Sequence, residues 1–162
     1  MLKYIKFFFL ILFFTFLSCV NHKKVNSSGS KSNKKSNIAE LVLRSARSYI
    51  GTKYKLGGTN ALGMDCSGLL YSVFKEYDIT LPRTSLEQSK VGEVISLKNV
   101  KVGDMIFFTD KKDGRNVNHA GIISFSHNGE VKFIHASTSK GVREDNLAGY
   151  WLPFYFISRR VL

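Results

Sequence analysis

His119-Ala120-Gly121-Ile122-Ile123-Ser124-Phe125-Ser126-His127-Asn128-Gly129-Glu130-Val131-Lys132-Phe133-Ile134-His135-Ala136 decides how this chain folds. Two runs rich in β-branched and aromatic residues flank Asn128-Gly129, a strong short-range hairpin signal. Turn length sets the register, and a slip of one residue sends every side chain to the other face. A two-residue turn would set His127 opposite Glu130 and Phe125 opposite Lys132, with His119 and His135 on opposite faces. A three-residue loop, His127-Asn128-Gly129, sets Phe125 opposite Val131, Ile123 opposite Phe133 and Gly121 opposite His135. Apolar residues then face apolar ones, and both histidines share the buried face. Burial therefore predicts the three-residue loop.

Outward from the hairpin, the remaining strands read as roughly Glu93–Ser96, Asp104–Thr109 and Tyr155–Leu162. Before them the apolar period is helical. Ala39, Val42, Leu43, Ala46, Tyr49 and Ile50 mark a helix over about Ile38–Ile50, with Ser36 or Asn37 as cap and Gly51 as stop. A loop with Gly57, Gly58 and Gly63 leads to a second helix, about Cys66–Tyr77, whose buried stripe is Leu69, Leu70, Val73, Phe74 and Tyr77. Thr84-Ser85-Leu86-Glu87 has capping-box spacing and predicts a third, short helix. Helices first and strands later, with short connections, imply an α+β domain in which N-terminal helices pack on an antiparallel sheet. Trp151 and Phe154-Tyr155-Phe156 read as core or edge-strand packing, and Asp110–Asn118 as a charged loop leading into His119.

The first residues read as an address. Lys3 and Lys6 precede an apolar run from Phe7 to Leu17, broken only by Thr15. It is too short to span a bilayer and suits the hydrophobic region of a signal peptide. Phe16-Leu17-Ser18-Cys19 follows at its end and resembles the lipobox of bacterial lipoproteins, with Phe where Leu is commoner. The expected division is a signal peptide over residues 1–18, a lipidated Cys19 with a disordered basic tether to residue 37, and one domain over 38–162. A disulfide between Cys19 and Cys66 is the weaker reading. Of the net +12, five tether lysines and two leader lysines account for seven charges, leaving +5 on the domain. The basic character is therefore mostly tail. With an export signal, and without a basic patch interleaved with aromatics, nucleic-acid binding is disfavoured.

The chemistry-bearing residues are Cys66 and two of the four histidines. Cys66 sits at a predicted helix start, where the helix dipole favours thiolate and lowers the thiol pKa. A nucleophilic cysteine needs a base within reach, commonly imidazole. His22 lies in the tether and His127 in the turn, which leaves His119 and His135. The residue types alone also admit a buried structural cysteine. They admit a zinc site too, although a fourth ligand does not stand out.

Six motifs occur in order along residues 38–162. They are Gly51-Thr52-Lys53-Tyr54-Lys55-Leu56-Gly57-Gly58, Asp65-Cys66-Ser67-Gly68-Leu69, Leu81-Pro82-Arg83-Thr84-Ser85, Val102-Gly103-Asp104-Met105-Ile106-Phe107-Phe108, His119-Ala120-Gly121-Ile122 and Phe133-Ile134-His135-Ala136. Together they resemble the NlpC/p60 family of bacterial cell-wall cysteine peptidases. The resemblance implies a papain-like α+β core with Cys66 as nucleophile, His119 as base and His135 as the residue that orients His119. It also implies that Tyr54, with the Cys66 N–H, serves the oxyanion, and that Tyr54, Asp65 and Ser67 bind the free amine of a stem peptide. Arg83 pairs with a substrate carboxylate or with surface acids. Asp65 also reads as a plain helix cap.

The expected protein is thus a monomeric, lipid-anchored, extracytoplasmic endopeptidase, held to a bacterial membrane through Cys19. Its partner would be peptidoglycan stem peptides, cut at the D-γ-glutamyl–diaminopimelate or the D-Ala–diaminopimelate amide. Neither an organic cofactor nor a metal is expected. The alternatives are an inactive wall-binding lipoprotein, a metal-binding lipoprotein, and the same fold acting as an amidase or acyltransferase.

Overall fold

Hydrogen-bonding needs and apolar spacing build three helices and eight strands among the residues described by a computed structural model, 28–162. In chain order these are α1 (Ser28–Ser48), β1 (Thr59–Asn60), β2 (Gly63–Met64), α2 (Cys66–Lys75), α3 (Ser85–Gln88), β3 (Glu93–Ile95), β4 (Met105–Thr109), β5 (Val117–His127), β6 (Glu130–Ser137), β7 (Gly141–Asn146) and β8 (Tyr155–Arg160). The leader and Cys19 lie outside the described residues.

Six strands form one antiparallel sheet in the order β3-β8-β4-β5-β6-β7, and β1 and β2 form a small separate hairpin. Both faces of the large sheet are buried. On one, Val42, Leu43 and Ala46 of α1 and Leu69, Leu70, Val73 and Phe74 of α2 pack on Met105, Phe107, Ala120, Ile122 and Ile134. On the other, Ile106, Phe108, Ile123 and Phe133 are covered by Ile95, Val100 and Leu147, with half-buried Trp151, Phe154 and Tyr155 against them. The middle strand β4 is buried throughout for this reason. At about 25 cal/mol per Å² of buried apolar surface, these two layers carry the stabilisation of the domain. Just before β4, the buried Asp104 receives Arg160 on both oxygens, at 2.7 and 2.6 Å, and the Lys101 N–H at 2.8 Å.

Several expectations are corrected. The first helix starts at Ser28, ten residues before Ile38, so residues 28–37 of the expected disordered tether are helical. The packed half from Val42 onward supplies the nucleus, and extending a formed helix through Lys, Ser and Asn adds one backbone bond per residue. β7 and the β1–β2 hairpin had no clear alternating pattern and were not expected. Strand β8 lies between β3 and β4 rather than at an edge.

The hairpin turn is also corrected. His127 pairs with Glu130 around a two-residue turn, with positive φ at Asn128 (49°) and Gly129 (81°). Phe125 accordingly faces Lys132, whose ammonium lies 5.6 Å from the ring centroid. Past that point a bulge at Ser124 adds one residue, and Ile123 faces Phe133 as burial requires. The bulge reconciles the turn that Asn-Gly prefers with the register that the core needs. Both histidines end on one face, by a route that turn rules alone do not contain.

Candidate active site

The site begins with Asp65, which caps α2 and holds its first turn. One carboxylate oxygen accepts from the Gly68 N–H at 2.7 Å and from the Ser67 hydroxyl at 3.2 Å; the other accepts from the Gly57 N–H at 2.7 Å. Arg83 adds a bidentate pair, Nη1 to Oδ1 at 2.9 Å and Nη2 to Oδ2 at 2.7 Å, and also donates to the Ser67 hydroxyl at 2.9 Å. Burial alone would raise this carboxyl, but Arg83 and the two N–H groups hold it below its usual range. A substrate carboxylate approaching Arg83 would therefore meet an ion pair, not a free cation. The glycines here are required by close approach: a Cβ on Gly68 would stand 2.1 Å from the Gly58 carbonyl oxygen, and one on Gly58 would stand 2.2 Å from the Gly63 oxygen. From the next segment, buried Gln88 donates to the Ser67 carbonyl at 3.0 Å and the Pro82 carbonyl at 2.8 Å, clamping the same turn.

Cys66 is the first residue of that helix, a free and buried thiol. Its Sγ lies 3.9 Å from the Asn118 carbonyl oxygen. Asn118 is itself a bulge residue, since Phe108 pairs with His119 while Thr109 pairs with Val117. The backbone N–H of Ala120 also favours charge on this sulfur. Both sequence neighbours of His119 thus touch the Cys66 thiol. Burial nevertheless pushes the thiol up from its ordinary value, and the Asp65 charge adds to the rise against the N–H groups of Ala120, Ser67 and Cys66. This corrects the expected lowering: the helix start favours thiolate, but desolvation is larger.

On the sheet face away from α1 and α2, His119 Nε2 and His135 Nδ1 are 2.8 Å apart, and His135 Nε2 is 3.0 Å from Asp145 Oδ2. An ionised carboxylate only accepts. His135 therefore carries its proton on Nε2, its Nδ1 accepts, and His119 carries its proton on Nε2. These two bonds leave His119 Nδ1 as the unprotonated nitrogen of the ring. His135 is fully buried. Burial lowers its pKa and outweighs the opposing bond to Asp145. Burial, with the His135 charge, lowers His119 to about 3. Both rings are neutral at ordinary pH, and they face each other rather than a common point where a metal would sit.

Sequence reasoning missed Asp145 and the role of Trp151. Asp145 comes from β7, opposite Phe133 in register, and also receives Arg143 at 2.5 Å and the Trp151 indole N–H at 3.3 Å. Trp151, expected as core or edge-strand packing, is half-buried against the core and stacks on the His119 ring: its centroid lies 5.0 Å from that of His119, at an interplanar angle of 12°. Only β7's register brings Asp145 here, and a six-residue strand ending in Arg-Glu-Asp-Asn carries no clear signal. Tyr54, Asp65, Cys66, Ser67, Arg83 and Asn118 line one pocket of about 350 Å³. Burial, with the charges of Cys66 and Asp65, pushes the Tyr54 phenol up and keeps it a proton donor. Of the expected loop Asp110–Asn118, Asn118 belongs to β5 and lines this pocket, while Asp110 and Asp113 bond back to Asn116 and Pro153.

A thiol, a neutral imidazole with one open nitrogen, and a relay that fixes that nitrogen can transfer acyl groups. Comparisons agree. The NlpC/P60 family matches residues 51–160. The probable endopeptidase NlpC homolog of Haemophilus influenzae is 38% identical over 116 residues, 70% of this chain and 58% of that protein. The murein DD-endopeptidase MepS/murein LD-carboxypeptidase of Escherichia coli K12 is 39% identical over 127 residues, 77% of this chain and 64% of that protein. The chain thus spans about three-fifths of the length of these two relatives. The crystal structure of an NlpC/P60 family protein from Bacillus cereus superposes with a TM-score of 0.69 at 27% identity, over 75% of this chain and 39% of that one. The fold, the ordered motifs and these likenesses agree: the chain belongs to the NlpC/P60 family.

Proposed function

We propose that this protein is a cysteine peptidase that hydrolyses an amide bond of peptidoglycan stem peptides. The observation that carries the reading is the relay Asp145–His135–His119, which leaves His119 Nδ1 unprotonated, in a strand whose preceding residue, Asn118, meets the Cys66 thiol through its carbonyl. The murein endopeptidase named among the relatives supports the substrate class.

The resting pair is thiol and neutral imidazole. As Sγ attacks the scissile carbonyl carbon, His119 Nδ1 takes the thiol proton. The C–S bond forms, and the oxyanion is met by the Cys66 N–H, one of the unpaired donors of the helix start, and by the Tyr54 hydroxyl. The imidazolium returns the proton to the leaving nitrogen as the C–N bond breaks. Water then attacks the thioester, giving one proton to His119 and restoring thiol and free acid. Asp145 stabilises the cation shared by the two rings while it exists.

We further propose an extracytoplasmic site of action, with a lipid on Cys19 holding the domain near the wall. Asp65, Ser67, Arg83 and Tyr54 take the acyl half of the substrate. An incoming ammonium would share the Asp65 carboxylate with Arg83.

The test incubates the full-length protein and Cys66→Ala, in detergent, with purified peptidoglycan, and identifies fragments by mass spectrometry. Fragments released by the wild type alone support the reading, and their masses name the bond. Binding of wall fragments without release by either protein would favour the inactive wall-binding alternative.

A further inference from the structure

His119 borders a groove of about 540 Å³ that shares no lining residue with the Cys66 pocket, together with Lys140, Arg143, Asp145, Tyr150 and Trp151. Its position follows from the chemistry. The base that returns a proton to the leaving nitrogen must lie beside that nitrogen, so the amine half of the substrate extends from His119. The acyl half remains with Cys66 in the first pocket.

The two pockets differ in charge. In the first, Arg83 is matched by Asp65 at 2.7 Å. In the second, the cations Lys140 and Arg143 stand against Asp145 alone. That carboxylate is already engaged by His135, Arg143 and Trp151. Arg143 keeps a buried Nε with no hydrogen-bond partner, and Lys140 is exposed at the turn from β6 to β7. The hydroxyls of Ser137, Thr138 and Ser139 complete one wall. A groove with surplus cation, hydroxyl donors and aromatic rings fits an anionic amino-acid residue.

We propose that this groove is a subsite for a carboxylate on the amine half of the substrate, with Lys140 as its counter-ion. The inference rests on the amide-hydrolase reading for its orientation but not for its ligand chemistry. For diaminopimelate, whose two carboxylates lie one carbon from its two amines, a free carboxylate would flank the scissile nitrogen or its far end.

Calorimetry on full-length Cys66→Ala in detergent tests it with two probes, diaminopimelyl-D-alanine with free carboxylates and the same peptide amidated. The free acid is expected to bind about two- to five-fold more tightly, the range of an exposed ion pair. Lys140→Gln brings that ratio near one, Lys140→Glu takes it below one, and Lys90→Gln, far from the groove, leaves it unchanged. Equal binding of the two probes, no binding of either, or an unchanged ratio in Lys140→Gln overturns the subsite. Wild-type hydrolysis of peptidoglycan is read in parallel. Preference without hydrolysis removes the peptidase reading and keeps the carboxylate site, whereas hydrolysis without preference does the reverse.

Discussion

In the proposed mechanism Asp145 decides which nitrogen of His119 acts as the base, although it lies two hydrogen bonds away. Asn at this position could donate to His135 Nε2, and the whole relay would then reverse. Asp145→Asn is expected to lower kcat by about 10²–10⁴-fold, the range seen when a tautomer-setting carboxylate is lost, with a much smaller change in KM. A wild-type kcat in this variant would remove Asp145 as a positioning residue. The same residues set the pH profile. With His119 lowered to about 3 and the Cys66 thiol raised above 9.0, neither group titrates near neutrality. kcat/KM should be flat between about pH 5 and 8 on a stem-peptide substrate. A limb near pH 6.5 would instead indicate an imidazole left at its ordinary value. The candidate residues Cys66, His119 and His135 stand out in the sequence because each carries reactive chemistry. Asp145 does not, because an aspartate on a short polar strand looks like any solvated one.

At the scale of elements, bulges and glycines aim the site. Gly121 lies between His119 and Ile123 on one face, and a Cβ there would meet Phe133 Cδ2 at 2.6 Å, the Ile134 oxygen at 2.9 Å and His135 Cβ at 3.4 Å. Gly121→Ala should cost about 1–3 kcal/mol by overpacking and reduce kcat further by displacing His135. Chemical denaturation and steady-state rates on one preparation separate the two effects, and full activity with normal stability would show that the strands yield. The Ser124 bulge makes the opposite prediction. Its hydroxyl is buried without a partner, so Ser124→Ala should leave the thermal midpoint unchanged or raise it. A fall of several degrees would mean that the hydroxyl is satisfied after all. The third helix was read correctly from its capping spacing: Thr84 caps Ser85–Gln88 and accepts from the Glu87 N–H at 3.3 Å. The hairpin turn was not, because Asn-Gly chemistry and core register conflict by one residue and only a bulge satisfies both.

For the whole molecule, burying neutral imidazoles ties stability to pH. His119 falls from 6.5 to about 3 on folding, and His135 moves in the same direction. Below pH 6.5 the unfolded chain binds protons that the native state refuses, so stability is full above that value and declines as pH falls toward 3. Asp65 and Asp145, both held below 3.8, add a further loss at lower pH. The urea midpoint should therefore drop between pH 7.5 and 4.5, and His119→Asn should flatten part of that slope. Equal midpoints for the wild type at the two pH values would contradict the buried neutral pair.

The sequence by itself determined the class of the fold, the helix that carries Cys66, the caps Asp65 and Thr84, and which reactive side chains are the candidates for chemistry. These follow from local physics: period, turn residues, caps and the scarcity of reactive side chains. Tertiary structure decided the rest. It chose the Ser124 bulge over a longer loop, brought β7 and Asp145 to His135, laid Trp151 on His119, and turned Arg83 to Asp65. It also raised the Cys66 thiol that a helix start alone would lower, because desolvation depends on what packs around a residue and not on its neighbours in the chain.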